Sequence, residues 1–424
     1  MIIKTFKLNK LTILSILLLF MLPIKSISLI FLVIFIATSI FFIKYNLYIA
    51  SFVFLLLWLN IAMSIINNGS VFIINAFLFI IFISPFILFL NSEKLLFFSN
   101  EYNIKSAIEY FLIIQIFVSF INGLYRFINR GNFDTDFGDI IAGTLRIPFT
   151  YSADASNQIF SLTMILVLFI YITLFQKKNY LLISLSIIVV FFASVNHLVL
   201  AVFLASLSSI RLKYLISVLF ISIIILILYG IFQPTNLYVI VKRLDSIVNI
   251  FNGMDIESLG FKGEYISNFV RDINKNINLL LFGNGAGSYS SRASMILTGI
   301  YSNTPIISVS SFTMENSYYL WANFVLAIPD LQGSFNYPFA SIFSFTAELG
   351  IFLNVSLIIL FIHRLKKTRL FSLGERKFLY IFLLIISFID NYWEYFQVYI
   401  IFIILILLIE SNRRKNVIKD TSNT

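Results

Sequence analysis

An all-α, polytopic integral membrane protein is the fold class this sequence predicts, on three observations. The 424 residues are 59% hydrophobic and only 12% charged, against about 25% charged in a soluble domain. The apolar residues fall in long runs separated by polar breaks, at a mean hydropathy of +0.95. Basic residues gather in every second short break. A chain of this make-up cannot hide its apolar surface in one globular core, so lipid is its solvent. The 49 Phe and 21 Tyr suit lipid packing and interfacial aromatic belts, although a composition biased towards Phe, Ile, Asn and Lys contributes as well.

The absence of cysteine, and the presence of only two histidines, His197 and His363, exclude disulfides, iron–sulfur clusters, thiolate zinc sites and any multi-histidine site. No cofactor or metal is expected. The net charge of +10 marks membrane orientation rather than nucleic-acid binding, because it is distributed over the breaks.

In chain order, Lys4, Lys7 and Lys10 precede the run Leu11–Ile24, as in a signal peptide. No small-residue cleavage site follows, and Lys25 leads into Ile27–Ile43, so two uncleaved helices are expected. A spanning helix needs about 20 apolar residues, and further candidates are Leu47–Ile66, Val71–Leu90, Ile104–Phe120 and Ser156–Phe175. Then come Tyr180–Ala193, Leu198–Ile210, Leu212–Phe232, Ala340–Ile362, Phe378–Ile389 and Phe396–Ile409. The stretches Tyr180–Ile210 and Phe378–Ile409 are too long for one span each, at 1.5 Å per residue across about 30 Å of hydrocarbon. Polar clusters at Ser194–His197 and Asp390–Glu394 break them, and the simplest reading is a tight helical hairpin in each. The expectation is about twelve helices, or ten to eleven if one pair is a single tilted or re-entrant element.

Basic residues orient this arrangement. Lys44, Lys94, Lys105, Lys177, Lys178, Arg211 and Lys213 fall on one side. Arg364, Lys366, Lys367, Arg369, Arg376 and Lys377 form the richest loop of that side, and Arg413, Arg414 and Lys415 sit in the tail. By the positive-inside rule both termini are cytoplasmic. The chain divides into helices at 1–232 with an outer loop at 121–153, a large outer loop at 233–337, the last helices at 338–410 and a cytoplasmic tail at 411–424. Connections longer than about 15 residues are usually functional or disordered, and neither outer loop is Pro/Ser-rich or highly charged.

The large loop holds the densest glycine cluster, Gly283-Asn284-Gly285-Ala286-Gly287, followed by Ser288, Tyr289, Ser290, Ser291 and Arg292. No strand–helix unit or Lys-Ser/Thr accompanies it, which excludes a nucleotide fingerprint. It is either a turn where backbone meets backbone or a set of N–H groups that, with Arg292, bind a phosphate oxygen. Outer-loop arginines Arg126, Arg130, Arg146, Arg271 and Arg292 offer forks suited to phosphate; pairing with Asp134, Asp139, Asp272 or anionic headgroups is the plainer role. Candidate bases are Asp154, Asp272, Glu315, Asp330, Glu348 and His197. His197, Asp390 and Glu394 are expected near the outer surface, facing a protein interior or wet cavity or simply capping helix ends.

The order of these pieces resembles the O-antigen polymerase and ligase superfamily. The resemblance is carried by Leu281–Tyr289 inside the large loop, Ala347-Glu348-Leu349-Gly350-Ile351 in the next helix, Gly143–Phe149 ahead of the sixth helix, and Arg211 after a short helix entered through Asn196-His197. Ligases of this group carry a His-Asn-type pair ten to eleven residues before the glycine that Gly350 matches. Here those positions are Phe339 and Ala340, which favours the Wzy-type polymerase branch. That branch implies a GT-C-like glycosyltransferase in the bacterial inner membrane. It would join undecaprenyl-pyrophosphate-linked oligosaccharide repeats at the periplasmic face, with a chain-length regulator and a flippase as partners and no metal. Under this resemblance Arg146, Arg271 and Arg292, with Gly283, Gly285, Gly287, Ser288 and Tyr289, are expected at the pyrophosphate. Asp272, Glu348 and His197 are the candidates for the catalytic base. A ligase and a lipid-linked sugar flippase are the competing readings; the single loop of about 100 residues and the scarcity of intramembrane charge speak against a flippase.

Overall fold

The computed structural model describes residues 6–23, 25–68, 73–95, 97–130, 141–146, 156–193, 195–209, 261–275, 277–296 and 340–422. The expected helix Leu212–Phe232, the residues Asp134, Asp139, Asp154, Glu315 and Asp330, and much of both outer loops lie outside these residues.

The protein is an all-α membrane protein, with six described helices long and apolar enough to cross a bilayer. The helices are α1 (Lys10–Leu19), α2 (Lys25–Phe42), α3 (Leu47–Asn68), α4 (Ile73–Asn91), α5 (Glu101–Arg130), α6 (Ser156–Leu174), α7 (Tyr180–Phe192) and α8 (Asn196–Ser209). After them come α9 (Phe261–Lys275), α10 (Ile277–Phe282), α11 (Arg292–Ile296), α12 (Ser341–Thr368), α13 (Leu373–Ile389) and α14 (Phe396–Ser422). Short strand pairs join Phe6–Lys7 to Phe97–Phe98 in parallel and Ile43–Tyr45 to Ser92–Leu95 antiparallel, tying neighbouring helix ends together.

Several bounds differ from the expected ones for physical reasons. Helix α1 has ten residues, about half the length a span requires, because Pro23 cannot continue a helix. Helix α5 runs on to Arg130, through Asn122-Gly123, since a lone glycine weakens a helix without ending it and no proline follows Phe120 within it. Helix α12 continues to Thr368, so Arg364 is a buried helical residue rather than a loop residue. Helix α14 reaches Ser422, so the expected tail begins as a continuation of the last helix. Both polar clusters do break the chain, but the arms do not form tight hairpins. Helix α8 packs chiefly on α13, α7 on α5 and α6, and α14 on α4 and α6.

Helix α14 is the axis of the bundle. Of its apolar window 89% is buried, against 22% for α3, whose Phe54 and Trp58 face outwards. Inside α4, Pro85 withholds the N–H that the Ile81 carbonyl would otherwise accept. The hydroxyl of Ser84 donates to that carbonyl instead, at 2.6 Å, which keeps a proline affordable at membrane depth.

Candidate functional site

Helix α12 carries a break that organises one end of the bundle. Gly350 sits at φ 74°, ψ 161° inside the helix, a conformation open to glycine and strained for other residues. Around this kink the carbonyls of Ala347 and Glu348 turn to the glycine-rich segment and accept from the N–H groups of Asn284 and Gly285, at 2.8 and 3.0 Å. Gly283, at φ 77°, approaches so closely that an added Cβ would lie 2.5 Å from the Gly350 nitrogen. From α3, Asn60 donates to the Glu348 carbonyl at 2.9 Å and accepts from the Ala286 N–H at 2.8 Å.

The Glu348 side chain completes this knot. Its Oε2 accepts from the Gly287 N–H at 2.7 Å. Its Oε1 accepts from the N–H groups of Tyr289, Ser290 and Ser291 at 3.0, 3.1 and 2.9 Å. The residue is wholly buried. A buried carboxylate needs such donors, because isolated ionised groups are costly away from water. The glycine-rich segment therefore does wrap an anion in backbone N–H groups, but that anion is the protein's own carboxylate. The amides of Gly285, Gly287 and Tyr289, expected at a phosphate, all meet Glu348 in this structure, the first at its backbone carbonyl and the other two at its carboxylate. This also gives Glu348 an anchoring task. Ser288 is buried within the segment, donating to the Gly285 carbonyl at 2.5 Å and accepting from Asn284 at 3.0 Å.

Beside the knot lies the turn Asp390–Tyr395, between α13 and α14, in which residue after residue reaches a different segment. The Asp390 carbonyl accepts from the Ser341 N–H and hydroxyl. Asn391 donates to the Ser290 carbonyl at 3.0 Å and accepts from Ser344 at 3.2 Å. The Tyr392 hydroxyl shares a hydrogen bond with His197 Nε2, and the Trp393 N–H donates to Ser341 Oγ at 3.0 Å. Glu394 Oε2 accepts from the Arg292 N–H. The Tyr395 hydroxyl accepts from the Arg292 guanidinium and donates to Gln158 of α6 at 2.5 Å. The guanidinium carbon stands 3.9 Å from the centre of the Tyr395 ring, a cation–π contact.

Helix α9 covers the turn and the knot. Lys262 donates to the Ile389 carbonyl, and the Tyr265 hydroxyl meets Ser290 Oγ at 2.7 Å. Asp272 accepts from the Tyr289 hydroxyl at 3.0 Å, and the charge of exposed Arg271 reaches the same tyrosine. Burial pushes the Tyr289 hydroxyl well above its usual range. Burial also raises the Asp390 carboxyl, against the opposing charges of Arg292 and Lys262. Glu394 is pushed well up by burial and then by the Glu348 charge, with Arg292 opposing.

The structure thus brings Glu348, Gly283, Gly285, Gly287, Ser288, Tyr289, Asp272, Arg271, Arg292 and His197 to one end of the bundle. Arg146 is buried on a 3-10 turn (Gly143–Leu145) that packs on α5 and α6, where Thr144 is held by Gln115 at 2.7 and 2.9 Å. The residues that sequence reasoning underrated are Glu394, Tyr395 and Gln158. The signal available for them was the density of polar and aromatic residues in Asp390–Tyr395, a run too rich for a plain helix cap.

These features define the class: a helical membrane protein whose buried carboxylates and one half-buried arginine converge at one end of the bundle. No family model, no curated protein and no solved structure matches this chain.

Proposed function

We propose that this protein is a membrane glycosyltransferase of the Wzy type, which polymerises undecaprenyl-pyrophosphate-linked oligosaccharide repeats on the periplasmic side of a bacterial inner membrane. The observation that carries the reading is the placement of Arg292. It is a permanent cation, half-buried against Tyr395 at the end of the bundle, where a lipid-linked pyrophosphate headgroup would lie.

The reaction needs a cation where negative charge builds on the departing pyrophosphate. In this reading the acceptor hydroxyl attacks the donor's anomeric carbon, and the bond from that carbon to the phosphate oxygen breaks. The electron pair leaves on the pyrophosphate, opposite Arg292, with Arg271 at the rim. The hydroxyl proton passes to a base, for which the partly buried Asp272 and His197 are the candidates. Arg146 serves a second subsite or a structural role. The pairing of the Leu281–Tyr289 and Ala347–Ile351 motifs supports the resemblance, because one motif's carboxylate holds the other's backbone. About twelve spans with a GT-C-like arrangement, and cytoplasmic termini, belong to the same proposal.

The test is the glycan profile of a strain whose only copy carries Arg292→Ala, at unchanged protein level in the membrane. Core bearing a single repeat unit is the expected product. A normal ladder of chain lengths contradicts the proposal, and core with no repeat unit points to a flippase or ligase.

A further inference from the structure

Arg292 is gripped at both ends by two consecutive residues of the Asp390–Tyr395 turn. Its backbone N–H, the first of helix α11, donates to the Glu394 carboxylate, while its guanidinium lies on the Tyr395 ring and donates to that residue's hydroxyl. The Tyr395 hydroxyl is fixed in turn by Gln158 at 2.5 Å. Neighbouring Tyr392 stands 5.4 Å from the Tyr395 ring and is held by His197. Glu394 is only 2% exposed, and its second oxygen, Oε1, meets no hydrogen-bond partner among the described residues. Burying a carboxyl group with one oxygen unsatisfied is costly, and the N–H groups it does meet, those of Arg292 and Ala293, both open helix α11. Packing alone gives no reason to keep it, whereas fixing the cation's backbone does.

We propose that Glu394 and Tyr395 are positioning residues that present the Arg292 guanidinium to a pyrophosphate-class anion. This rests on the reading of Arg292 given above and deepens it. Glu394 sets where the arginine's backbone starts, and Tyr395 sets the plane of its guanidinium. Holding a long side chain in one orientation removes the ordering cost from the binding step. Glu394 acts here through an accepted hydrogen bond, so an amide of the same shape can replace it.

The experiment uses the full chain in detergent, with inorganic pyrophosphate as the probe, binding followed by calorimetry and melting temperature followed in parallel. Arg292→Ala tests the underlying reading. If it binds pyrophosphate like the wild type, Arg292 is not the anion site, and the positioning proposal fails with it. If Arg292→Ala abolishes binding, the two residues are tested in their own right. Glu394→Ala is then expected to weaken binding roughly tenfold, the equivalent of one charge-assisted hydrogen bond, and Glu394→Gln to recover most of the loss. Equal loss in both variants at an unchanged melting temperature would show that the charge matters rather than the hold, and would overturn the proposal. Wild-type binding by Glu394→Ala overturns it too. Tyr395→Phe keeps the ring beneath the guanidinium and serves if Glu394→Ala does not reach the membrane. Weakened binding by Tyr395→Phe supports the proposal, and unchanged binding contradicts it.

Discussion

At one end of the bundle Arg364 of α12 meets Glu410 of α14 at 2.7 Å, donates to the Ser92 carbonyl at 3.0 Å, and lies over Phe89. At the other end Glu348, also on α12, meets four backbone N–H groups of the glycine-rich segment. The first arrangement joins two side chains of opposite charge and is complete in itself. The second uses a side chain to hold a loop's backbone, and around it stand further buried ionisable groups, Asp390 and Glu394, faced by Arg292 and Lys262. A bundle needs no such concentration of buried ionisable groups to stay folded, since buried pairs are often replaceable by apolar residues without loss. The contrast teaches that one end fastens helices while the other gathers ionisable side chains around a loop.

Substitutions sharpen the contrast. The largest effect is expected from Glu348→Ala, which leaves several buried N–H groups without an acceptor at about 1–3 kcal/mol each. Loss of the protein from the membrane, or a collapsed melting temperature in detergent, is the readout. Arg364→Ala is expected to cost about 3–5 kcal/mol by stranding Glu410. Gly350→Ala follows at roughly 2–4 kcal/mol, from left-handed backbone plus a clash with Phe282. Replacing both Arg364 and Glu410 by Leu is expected to change the melting temperature little, because both partners go together. No equivalent double exchange exists for Glu348, whose partners are backbone groups. If the double Leu variant unfolds as badly as Arg364→Ala, the view of that end as a simple fastening is wrong.

A smaller effect concerns pH. The folded Glu394 carboxyl binds its proton more tightly than the ordinary value of 4.5 allows. Its contribution to stability is therefore full below that value and is lost as pH rises towards the folded pKa. Comparing melting temperatures across this range, the wild type should lose stability with rising pH relative to Glu394→Gln. Parallel curves for the two proteins would contradict the assignment.

Much of this was legible in the chain. The apolar runs at Leu47–Ile66 and Ser156–Phe175 emerge as helices with nearly those bounds, and the run from Phe396 starts where expected but continues to Ser422, because hydropathy decides the membrane part locally. The breaks near Ser194 and Asp390 were visible for the same reason. Neither the divergence of their arms nor the burial of Arg364 was, since both depend on which helices pack together. The two motifs at Gly283–Tyr289 and Ala347–Gly350 could each be seen, but not that one holds the other, because that contact joins segments about 60 residues apart through backbone N–H groups that the sequence does not encode. Glu394 read either as facing a protein interior or wet cavity or as a helix cap, because its partner, the Arg292 backbone, is equally invisible in a list of side chains.

The central claim is that the charged end of the bundle transfers lipid-linked glycan through Arg292. Its most direct test is elongation by the purified protein in lipid vesicles, supplied with pyrophosphate-linked repeat units, comparing wild type with Arg292→Ala at matched melting temperature. The account predicts products of many repeats from the wild type and none longer than the substrate from the variant. Equal chain lengths from both proteins would contradict it.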